Sequence, residues 1–69
     1  MNQLEINILL NKMHENLSRE NWLRKGQCFM NALSDYNFDA YKAITGTDYD
    51  CFYDDKKIPK TIEFLLTMK

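Results

Sequence analysis

The chain has 69 residues, and its nine basic and ten acidic side chains nearly cancel. At this length it forms one domain at most, over 1–69, and buries only about 60% of the surface its unfolded form exposes. A content of 45% hydrophobic and 13% aromatic residues excludes disorder, and no apolar run approaches the ~18 residues of a membrane span.

Residues 3–17 carry the first predicted helix. At ~100° per residue, Ile6, Leu9, Leu10, Met13 and Leu17 share one face. Leu4 and Ile8 fall on another face, among Glu5, Asn11, Lys12 and Glu15. Single exposed apolar residues are normal, which accounts for Leu4. Ile8 fits equally a wide buried arc or, with Leu4, a contact stripe for a twin subunit in a homodimer.

A second helix is predicted to start from Ser18 or Asn21 as cap and to run to about Tyr36. Trp22, Leu23, Gly26, Phe29, Met30 and Leu33 form its apolar arc. A glycine inside a helix costs roughly 1 kcal/mol against alanine. Gly26 lies on the apolar arc, so close approach of another backbone is the expected compensation. Opposite runs a polar ribbon of Glu20, Arg24, Gln27, Asn31, Ser34 and Asp35.

Asn37 is expected to cap a short third helix with Phe38, Tyr41 and Ile44 facing inward, and Gly46 to follow in the left-handed conformation. Residues 47–55 form a loop, with an extended piece weighed at Tyr49–Tyr53. The last helix starts after Asp54 or Asp55 and ends near Met68, with Pro59 in its first turn. Ile58, Ile62, Leu65 and Leu66 make its core face, widened by Phe64 and Met68. The expected fold is all-α: four short helices, with an ordered acidic and aromatic loop before the last.

Charge and cysteine narrow the function classes. A general nucleic-acid binder shows a basic excess that neutralises phosphates, and this chain lacks one. Cys28 and Cys51 are too few and too far apart in sequence for a zinc site or a CxxC redox pair. They read as reduced thiols of a cytoplasmic protein, and MNQLEINILL carries no early basic cluster of a secretion signal. With His14, the only histidine, they make no credible catalytic set. No enzyme, cofactor or metal is expected.

The segment DYDCFYDD over 48–55 holds Asp48, Asp50, Asp54 and Asp55 and no basic residue. Read as a calcium loop from Asp48, it places Tyr53 where the EF-hand turn needs glycine and Pro59 where it needs glutamate. Turn-forming aspartates that cap the last helix fit better. The loop also fits a protein-binding surface, with Tyr49, Asp50, Tyr53 and Asp54 as contacts. Phe52 is expected to fold inward.

The face of Arg24, Gln27 and Asn31 has the residue types of a DNA-reading helix, but Glu20 and Asp35 share it. Amides that hold the 46–55 loop by bonding its backbone are the preferred reading.

The order Trp22-Leu23-Arg24-Lys25-Gly26-Gln27, Asn31, then Asp48-x-Asp50-x-Phe52-Tyr53-x-Asp55 resembles a group of small bacterial and phage or prophage proteins without an assigned activity. Their pattern is Arg-x-Gly-Gln-x-x-x-Asn on a short helix, then Asp-x-Phe-Tyr-x-Asp and a hydrophobic terminal helix. The resemblance covers about residues 20–66, and Cys51 departs from it where proline is expected. It implies that Gln27, Asn31, Asp48 and Asp55 form one packed polar unit. The function expected is a small interaction module of phage or mobile-element origin that binds a host protein; the alternative is a helix-turn-helix-like DNA binder using the 24/27/31 face.

Overall fold

The computed structural model describes residues 1–20 and 22–68. They form four α-helices, α1 (Gln3–Arg19), α2 (Lys25–Tyr36), α3 (Phe38–Ile44) and α4 (Ile58–Thr67), with a 3-10 turn at Asp55–Lys57 before α4. The fold is all-α.

Helix α1 opens with a capping box. The Asn2 side chain accepts from the Glu5 amide, and the Glu5 carboxylate accepts from the Asn2 amide. Glu5 in the first turn and Arg19 in the last both complement the helix dipole. Ile6, Leu9 and Met13 are buried, with Leu10 and Leu17 packed at the edge of the core. The helix runs two residues past 17. Ser18 lies inside it, its hydroxyl donating to the His14 carbonyl, and caps nothing. Asn21, the other cap expected for the second helix, lies outside the described residues.

Helix α2 therefore starts later than expected, at Lys25, with Arg24 in the extended N-cap position and no side-chain cap. Trp22 precedes the helix and is 75% exposed instead of joining its apolar arc. A helical projection that starts before the helix does assigns the wrong phase to such a residue. From Gly26 onward the arc holds: Phe29, Met30 and Leu33 are buried. Cys28 and Ala32 are buried as well, because α1 packs mainly against α2 and covers a broader face.

Asn37 ends α2 and starts α3, its side chain accepting from the Ala40 amide at 3.1 Å. Ile44 is buried and Tyr41 half-buried. Phe38 is 57% exposed, contrary to expectation; as the first residue of a two-turn helix it stacks along Tyr41 instead of entering the core. Gly46 follows with φ +79°, the left-handed conformation that glycine adopts without strain.

Residues 45–57 form no strand, and the extended piece weighed at Tyr49–Tyr53 is not one. Amides of Thr47, Asp50, Asp54 and Lys57 each bond the carbonyl three residues back, so the segment is a succession of tight turns. Asp54 caps the 3-10 turn through the Lys56 amide, and Pro59 sits in the first turn of α4. In α4, Leu65 is buried and Ile58, Ile62 and Phe64 line the core edge, as does Met68 just after the helix. Leu66, expected in the core, is 40% exposed because it lies ~100° around the helix from Leu65. The buried partner on this face is Thr61, whose hydroxyl is within reach of the carbonyls of Tyr49 and Lys57. The Met1 amine donates to the carbonyls of Leu65 and Met68, joining the start of α1 to the end of α4. No helix among the described residues is long and apolar enough to cross a membrane.

Candidate functional site

The turn-rich loop is pinned to the first turn of α2 by main-chain contact. A Cβ built on Gly26 would lie 1.9 Å from the Cys51 carbonyl oxygen and 3.2 Å from an Asp55 carboxylate oxygen. The Gly26 amide, one of the free donors at a helix start, donates to Asp55 at 2.9 Å. The Cys51 thiol lies 3.7 Å from the Gly26 carbonyl as a weak donor, and Arg24 donates to the Tyr53 carbonyl at 3.2 Å. Proline at 51 would lack that thiol contact.

This arrangement redistributes the expected roles. Asp55 does belong to the unit that joins loop and helix. Gln27 is half-buried and Asn31 exposed, and among the described residues neither amide bonds the loop. Gly26 lets the two backbones meet, which leaves no gap for a side-chain amide to bridge. Asp48 is exposed, and among the described residues its carboxylate makes no such bond either. The structural aspartate is Asp50: its carboxylate accepts from the amides of Gly46 and Phe52, both at 2.9 Å.

Of the four residues expected to meet a partner, three are engaged within the fold. Asp50 closes the turn, Asp54 caps the 3-10 turn, and Tyr49 stacks on Phe64 with ring centroids 4.2 Å apart. Only Tyr53 stands out, at 80% exposure, its ring edge-on to that of half-buried Phe52. Sequence reasoning missed Trp22 as an exposed aromatic; the signal was its position just before Arg24-Lys25-Gly26, where the helix begins.

Beside Tyr53 lies a cleft of about 180 Å³, floored by Met30 and lined by Tyr41, Thr45, Asp50 and Phe52. The ribbon proposed for DNA is divided: Arg24 turns to the loop, while Asn31 lines a separate polar hollow together with Glu20 and Asp35. On α1, Leu4 is 68% exposed and Ile8 half-buried, so the stripe proposed for a second copy reduces to one prominent leucine.

Both thiols are buried and free, and burial pushes each above the ordinary thiol value. Cys28 is wholly inside the core. Glu20 and Asp55 raise it further; for Cys51, the nearby Thr61 hydroxyl partly offsets burial, while Asp50 and Asp55 add to it. His14 is exposed on α1. No group of three or more His, Cys, Asp or Glu side chains among the described residues is placed to hold a metal ion.

The chain matches no protein-family model, no curated protein and no solved structure.

Proposed function

We propose that this chain is a small non-enzymatic interaction module that presents the Tyr53 loop to a partner protein. The observation that carries the reading is the exposure of Tyr53 on a backbone held from three sides, by Arg24, by Gly26 and by the Asp50 turn. A loop that served only to brace the fold would turn its aromatic rings inward, as Tyr49 does against Phe64. Holding an aromatic ring ready on fixed backbone lowers the ordering cost of binding. Arg24 donates to the Tyr53 carbonyl, and exposed Trp22 lies two residues before Arg24 in the chain; Trp, Tyr and Arg dominate the energetic centres of interfaces. A phage or mobile-element origin, the expectation from the sequence, would make that partner a host protein.

The test is capture from bacterial lysate, with and without nuclease, on immobilised chain, wild type against Tyr53→Ala, followed by reconstitution with the purified captured protein. The reading predicts a direct complex that Tyr53→Ala weakens while keeping the wild-type melting temperature. Capture that vanishes with nuclease, or that Tyr53→Ala leaves unchanged, contradicts it; the former would favour the DNA-binding alternative.

A further inference from the structure

The cleft beside Tyr53 has a chemistry that selects its occupant. Three aromatic pairs occur among the described residues: Phe38–Tyr41, Tyr49–Phe64 and Phe52–Tyr53. Two of them carry a cation of this chain over a ring. Lys42 Nζ lies 5.6 Å from the Phe38 centroid, and Lys60 Nζ lies 5.4 Å from that of Tyr49. Among the described residues the Phe52–Tyr53 pair has none, and it is the pair that walls the cleft. Arg24 meets Tyr53 at its carbonyl and does not line the cleft.

The remaining lining points the same way. Tyr41 supplies a third ring and Asp50 a carboxylate, with no basic residue in the lining. A carboxylate has about four lone-pair sites; Asp50 uses two, for Gly46 and Phe52. An apolar plug would strip water from the other two without replacing it, which is unfavourable. A cation would pair with the carboxylate and lie against ring faces. The surrounding loop is acidic as well, with Asp48 and Asp54 on either side.

We propose that this cleft receives an arginine side chain projecting from the partner protein. The proposal rests on the interaction reading above and names what its docking face recognises.

The probe is N-acetyl-arginine amide, titrated into the labelled full chain and followed by the amide resonances of Thr45, Asp50 and Tyr53. The controls are the neutral isostere N-acetyl-citrulline amide and N-acetyl-leucine amide. Saturable shifts are expected with the arginine probe. Tyr53→Ala should weaken them by roughly two- to fivefold and Tyr53→Phe should restore them, since the ring face and not the hydroxyl does the binding. If the leucine probe moves these resonances and the arginine probe does not, the cleft takes an apolar anchor and the proposal fails while the interaction reading stands. Equal response to arginine and citrulline, or no saturable response to arginine, also overturns it. The capture experiment judges the interaction reading independently.

Discussion

The carbonyl oxygen of Cys51 occupies the space that a side chain on Gly26 would fill, 1.9 Å from the Cβ position. Loop and helix thus meet backbone to backbone, and the loop's exposed tyrosine is carried on the core's own frame. Gly26→Ala is the sharpest probe of that contact. Alanine ordinarily favours a helix over glycine by about 1 kcal/mol, so in an open site the variant would gain stability. Here the obstruction is backbone, with the Cys51 carbonyl carbon at 3.0 Å behind the oxygen. Overpacking of this kind costs about 1–3 kcal/mol. Urea unfolding should show a net loss, and a variant more stable than wild type would refute the contact.

The Gly26 contact was legible before any coordinates, because a glycine on an apolar helical arc needs a reason. Asn37 as a cap, Gly46 in the left-handed region and Pro59 in a first turn were legible on local chemistry alone. Less legible was where α2 begins. Its apolar period extrapolates back to Trp22, but the chain leaves the helix before Lys25, and phase has no meaning there. Leu66 and Phe38 fall on generous apolar arcs in the sequence, but such short helices bury only a narrow stripe. Thr61 reads as polar surface, yet it is fully buried because its hydroxyl finds carbonyl partners in the 3-10 turn before its helix, at Lys57, and in the loop, at Tyr49. Gln27 and Asn31 were assigned the joining role by residue type, whereas the missing side chain of Gly26 makes main-chain joining feasible.

The two neighbouring aspartates separate by role. Asp50 accepts two amide hydrogen bonds within the loop, and Asp48 stays exposed. Asp50→Ala should cost about 1–3 kcal/mol by leaving turn amides without their acceptor. Asp48→Ala should stay within about 0.5 kcal/mol, as surface substitutions do. Parallel denaturation curves check this, and a larger loss for Asp48→Ala would reverse the assignment.

The buried thiols predict a definite pH dependence. Burial raises both Cys28 and Cys51, so the native state keeps these protons where the unfolded chain releases them. Their stabilising contribution is fully present below the ordinary thiol value and is lost as the pH climbs from there toward the raised one. Tyr36, raised chiefly by desolvation and then by Glu5, adds the same sign at higher pH. Unfolding free energy should therefore fall on the alkaline side, and Cys51→Ala should flatten that fall. The native thiols should react with a disulfide reagent far more slowly than after denaturation. Rapid native labelling of Cys28 and Cys51 would contradict their burial.

The account stands or falls on whether the Tyr53 loop is held to α2 or only rests near it. Native-state hydrogen exchange measures this directly at the Gly26 amide, which bonds Asp55 across the helix–loop contact, and the Phe52 amide reports the loop's own turn at Asp50. A pinned loop predicts that both exchange only through openings comparable in free energy to unfolding of the α2 core. Exchange at both sites near the rate of an unprotected chain, with the Phe29 and Leu33 amides still protected, would show the loop opening independently of the core. It would remove the fixed platform on which Tyr53 is presented.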